Sequence, residues 1–98
     1  MPERLYDLAD ILDRLPLAEV GAAHLMAALF GELPRIEFPR GSAGLVLCAH
    51  VEPHGWLVVE CSETSTQEMW RVEAARWATS VEAKRLEAIR NLRKEDGR

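Results

Sequence analysis

Cysteine is scarce in this chain, and so is every feature that would place it in a membrane or commit it to a chemistry. The two cysteines, Cys48 and Cys61, both lie inside apolar runs and are too few for the disulfide framework of a small secreted domain. The opening MPERLYDLAD is too polar for a secretory signal, so the expected location is cytoplasmic, with reduced thiols. No apolar run reaches the roughly 18 residues of a membrane span. No glycine-rich phosphate loop, G-x-S-x-G elbow or H-E-x-x-H is found. The strong positive field of a dedicated nucleic-acid binder is also missing, since the formal net charge is −4. The sign is uneven: residues 1–64 carry ten acids and four bases, residues 65–98 six acids and eight bases.

What remains is an ordinary folding composition. Ninety-eight residues, 48% hydrophobic and 29% charged, fit a single domain with one core and argue against disorder. The most informative stretch is Leu17 to Phe30, in which Glu19 is the only charged residue. A helix apolar on all sides has no face for water and must be covered. So short a chain has little cover to offer, and that points to a partner subunit.

Apolar periodicity gives an α+β order of elements. Leu5, Leu8, Ala9, Leu12 and Leu15 make an amphipathic helix over 4–15. Pro16 is placed to open a second helix that runs to Phe30 and stops at Gly31. Arg35–Phe38 alternates as a short edge strand between Pro34 and Pro39. Residues 45–62 form a hairpin around Glu52-Pro53-His54-Gly55, with glycine at the left-handed position. In the expected register His50 faces Val58 and Cys48 faces Glu60. One face of the hairpin holds Leu45, Leu47, Ala49, Val51, Leu57, Val59 and Cys61. The other holds Val46, Cys48, His50, Glu52, Trp56, Val58 and Glu60, a mixed face apolar enough to be partly covered as well. A capping box at Ser65/Glu68 or Thr64/Gln67 predicts a long helix over 66–92. Its stripe would run through Trp70, Ala74, Trp77 and Val81, with Glu–Arg pairs three apart on the flanks. The expected domain is therefore a single unit over 1–98. It has two N-terminal helices, a three-stranded antiparallel sheet and a long C-terminal helix, and residues 94–98 form a frayed tail.

Several residue sets invite a chemical reading. Cys48, His50, His54 and Cys61 are zinc-type ligands, but the register splits them between faces and the spacing lacks paired two-residue gaps. Cys48, His50 and Glu60 share a face, yet residues two apart on a strand stand about 7 Å apart, too far for a thiol–imidazole bond. Neither set is preferred, so no catalytic residue, cofactor or metal is expected. His24, Met26, Phe30, Trp56, Arg85, Leu86 and Ile89 are candidates for an interface, with Arg85 either snorkelling or pairing across that interface with an acid of the first helix. Glu3, Asp7, Asp10 and Asp13 form an acidic surface.

The expected function is a non-enzymatic protein–protein interaction module, regulatory or inhibitory, forming a homodimer and binding a larger protein. Two alternatives stand beside it. One is a nucleic-acid-associated regulator using the C-terminal arginines, which the lack of base-reading side chains in Leu17–Phe30 disfavours. The other is an acidic, phosphate-mimicking inhibitor of a nucleic-acid-binding protein.

Overall fold

The computed structural model describes residues 5–96. Along the chain run β1 (Leu5–Asp7), α1 (Ala9–Arg14), α2 (Ala22–Phe30), β2 (Arg35–Arg40), β3 (Gly44–Val51), β4 (Gly55–Glu63), β5 (Met69–Trp77) and α3 (Ser80–Asp96). The strands form one mixed sheet in the order β1-β5-β4-β3-β2, with β1 parallel to β5 and the other neighbours antiparallel. The class is α+β. The three-stranded antiparallel sheet expected from the sequence is corrected to five mixed strands, and the long helix over 66–92 to a 17-residue helix preceded by a strand.

The strand hidden in that expected helix owes its disguise to a bulge. Cys61 pairs with Val72 and Glu60 with Ala74, which leaves Glu73 as one extra residue on β5. Core-facing residues of β5 are therefore Trp70, Val72, Ala75 and Trp77, with a step of three in the middle. That step breaks the period of two and lets the segment pass for a helix. The Glu–Arg pairs dissolve accordingly: Arg71 lies 3.8 Å from Asp7 of β1, and Glu73 3.3 Å from Arg40 of β2. Only Glu87–Arg90 keeps its helical pairing, at 3.9 Å. The true start of α3 is Thr79, whose Oγ1 accepts the Glu82 N–H while its own N–H donates to Glu82 Oε1.

The N-terminal half is corrected in the same way. The expected helix over 4–15 gives its first turn to β1, which lines the edge of β5, and only Ala9–Arg14 is helical. Asp7 Oδ1 accepts the Ala9 N–H at 3.1 Å at this start. The residue that α1 buries is Ile11, while Leu12 faces out. Pro16 opens a tight turn, not a helix: Leu17 and Val20 exchange backbone hydrogen bonds across Ala18 (φ 52) and Glu19 (φ 64). α2 starts at Ala22, and His24 Nδ1 accepts the Gly21 N–H at 3.1 Å. The guanidinium of Arg35 donates to the carbonyls of Ala28 and Leu29 in the last turn of α2, where unpaired carbonyls gather.

Topology decides which helix covers which face. β1 and β2 sit on opposite edges, so α1 and α2 must carry the chain across one face of the sheet. There Ile11, Val20, Leu25, Ala28 and Leu29 pack on Leu45, Leu47, Ala49, Val51, Leu57, Val59, Cys61, Val72 and Ala75. The hairpin faces are those expected, although the register differs: His50 pairs with Trp56, Cys48 with Val58 and Val46 with Glu60. A slip of two residues preserves which side each chain points to. Gly55 takes the positive φ expected of it, at 114°. α3 covers the opposite face, where Leu86 packs with Ile36, Cys48, Trp56 and Val58.

The apolar stretch is thus largely sheltered within one chain. Leu25, Ala28 and Leu29 are buried, and the outward residues of α2 are Ala22, Ala23 and Phe30, the last 61% exposed. Exposed alanine costs little, so this coverage removes the sequence argument for a second subunit on α2. No helix among the described residues is long and apolar enough to cross a membrane. α3 extends to Asp96, and the final two residues of the expected tail lie outside the described residues.

Candidate binding cleft

α3 packs on its face of the sheet and does not cover all of it. Row by row, that face carries His50 and Trp56, then Ile36, Cys48, Val58 and Arg76, then Phe38, Val46, Glu60 and Ala74, and finally Arg40 and Ser62. The helix sits over the first rows. Beyond it lies a cleft of about 430 Å³ lined by Phe38, Val46, Cys48, Val58 and Arg76 from the sheet and Glu82, Arg85, Leu86 and Ile89 from α3. This volume lies in the range of small recognition sites, and the floor is almost wholly apolar.

Two polar groups border the cleft. At the helix end, Arg76 grips Glu82 through two hydrogen bonds of 2.7 and 2.8 Å. The hydrogen bonds from Arg76, with help from the Thr79 N–H, hold the Glu82 carboxyl down at about 2, against 4.5 ordinarily. At the far lip, Arg40 lies 3.3 Å from both Glu60 and Glu73, and Ser62 Oγ donates to Glu73 at 2.9 Å. The bulge places Glu73 in this network. Its backbone carbonyl also accepts from Arg14 of α1.

The Arg76–Glu82 pair gives a pH prediction. A carboxyl whose folded pKa is depressed stabilises the fold above its unfolded value and loses that contribution as pH falls through the folded one. Wild type should therefore lose this term between about pH 4.5 and 2. Both side chains are more than one third exposed, so screening limits the effect to about 1 kcal/mol or less. Glu82→Gln keeps an acceptor for the helix cap and isolates the charge. Urea titrations of both proteins should differ at pH 7 and converge near pH 2; a constant gap across the range would discount the ion pair.

Cys48 is in the floor of the cleft and is 4% exposed. Burial, with a smaller contribution from the charge of Glu82, pushes its thiol up to about 11, so it stays protonated at neutral pH. His50 turns instead to Glu52 and Glu87, at 3.6 and 3.7 Å, and Glu60 is taken by Arg40. The thiol, imidazole and carboxylate weighed from the sequence are therefore not assembled. Cys61 lies on the other face of the sheet, and no cluster of three metal-ligating side chains occurs among the described residues.

The seven interface candidates divide between the faces. Arg85, Leu86 and Ile89 share the cleft, while Trp56 is 3% exposed and its indole N–H donates to Glu87 at 2.8 Å. Trp56 is thus a core residue under α3. His24, Met26 and Phe30 lie on α2, across the sheet. His24 caps its helix within a ring cluster with His54 and Trp77, and Phe30 meets Tyr6 edge-on at 5.7 Å. Arg85 and the acids of α1 lie on opposite faces of the sheet within the chain. Among the acidic candidates, Asp7 is engaged by Arg71 and the Ala9 N–H, Asp10 and Asp13 are exposed on α1, and Glu3 lies outside the described residues.

The sequence reading missed Phe38, Arg76 and Glu82. The signal for the last was present: Thr79-Ser-Val-Glu82 is itself a capping box, and would have started the helix at the right place. Searches against protein-family models, curated proteins and solved structures return no match.

Proposed function

We propose that this chain is a small non-enzymatic interaction module that recognises a segment of another protein in the cleft between α3 and the sheet. The observation that carries the reading is the partly uncovered apolar floor of Phe38 and Val46, continuous with the buried Cys48 and Val58 under α3 and walled by Leu86 and Ile89. An apolar floor with a few fixed polar groups at its rim offers burial as driving force and the rim as selector. The thiol in the floor is protonated and Arg76 and Glu82 at the rim neutralise each other, which favours binding over chemistry.

The test uses Cys48 as a resident probe. Peptides selected from a random display library on the folded protein should slow alkylation of Cys48 when they bind, by covering it. Failure to enrich any sequence, or enriched peptides that leave Cys48 alkylation unchanged, would overturn the assignment of function to this cleft.

A further inference from the structure

We infer that the segment entering the cleft carries an apolar side chain flanked on one side by a carboxylate, and that Arg85 receives that carboxylate. The inference rests on the cleft being the recognition site and adds the chemistry and direction of the ligand.

The charges around the cleft are few, and their engagement is resolved element by element. On β5, Arg76 is held bidentately by Glu82 of α3, and Glu82 is pinned in turn by the Thr79 N–H, so this pair is neutral and fixed. Across the floor, Arg40 of β2 serves both Glu60 of β4 and Glu73 of β5, and Arg14 of α1 sits on the Glu73 carbonyl, so the charges of that lip are committed to one another. Arg85 of α3 lines the cleft and, among the described residues, makes no ion pair or hydrogen bond. The cleft is thus asymmetric, with an uncommitted guanidinium on the helix wall and internally paired charges on the opposite lip.

This asymmetry selects the ligand. A wholly apolar segment leaves Arg85 unpaired. A segment with carboxylates on both sides finds, among the described residues of the cleft, one free cation and no second, since Arg40 is engaged by Glu60 and Glu73. A single carboxylate beside an apolar side chain satisfies Arg85, for which the planar fork is suited, and buries the apolar group on Phe38 and Val46. The chain as a whole is acidic, at −4, so any preference for acidic peptides has to arise locally at Arg85 and not from the overall field.

The experiment compares the peptides selected on wild type with copies in which the acidic residue is exchanged for Lys. Binding is followed by fluorescence anisotropy to wild type and to Arg85→Glu, an exposed substitution that leaves the core alone. The selected peptides should be enriched in acid, and the exchange to Lys should weaken wild-type binding roughly five- to tenfold. Arg85→Glu should invert that order and favour the Lys copies. Selected peptides without acidic bias, or a Lys exchange that costs the same in both proteins, would overturn the assignment to Arg85. Such a result would leave the cleft as a binding site if Cys48 is still protected. Loss of both enrichment and protection would instead remove the underlying reading.

Discussion

Replacing Leu86 with alanine is expected to destabilise the protein by about 2–4 kcal/mol and to speed alkylation of Cys48 roughly a hundredfold. Leu86 is the one side chain of α3 that is buried among its described residues, at 5% exposure, with Ala83 and Ile89 half-buried beside it. Its other anchors are polar: the part-buried bonds of Trp56 to Glu87 and Arg76 to Glu82, and the exposed cap at Thr79. A net hydrogen bond contributes about 1 kcal/mol, less than the burial of a leucine. Removing the Leu86 side chain therefore lowers the cost of lifting α3, and Cys48 lies directly beneath. Urea unfolding followed by tryptophan fluorescence gives the stability, and mass spectrometry of alkylated protein gives the rate. An unchanged Cys48 rate would mean that the polar ties, not this leucine, hold the helix down.

Leu57→Ala should produce a loss of similar size, about 2–5 kcal/mol, with a different kinetic signature. Leu57 is fully buried in β4, between β3 and β5, and faces the core under α1 and α2. It has no part in seating α3. If α3 opens as a unit on its own, Cys61 on the Leu57 side should be alkylated faster in this variant, while Cys48 keeps nearly its wild-type rate. Equal acceleration of both thiols would show that the two faces of the sheet unfold together.

How much of this architecture could be read from the residues varies along the chain. The hairpin over 45–62 was legible because strict alternation and a Pro-His-Gly turn leave one way to fold, and a register error of two residues did no harm to the faces. β5 was not legible, since one inserted residue at Glu73 turned an alternating strand into an apparently helical stripe. β1 was hidden because a three-residue strand has no pattern of its own and is fixed by its neighbour across the sheet. In the cleft, Arg85, Leu86 and Ile89 were visible as side chains in excess on the last helix. Phe38, Arg76 and Glu82 join them only through the order of the strands, which local periodicity does not encode.

The extra residue at Glu73 makes β5 a segment with a phase. Removing that residue would leave Val72 opposite Cys61 and Ala74 opposite Glu60 in a regular ladder, with Trp70, Val72, Ala75 and Trp77 still facing the core. What the deletion would take away is the Glu73 carboxylate, and with it one partner each of Arg40 and Ser62.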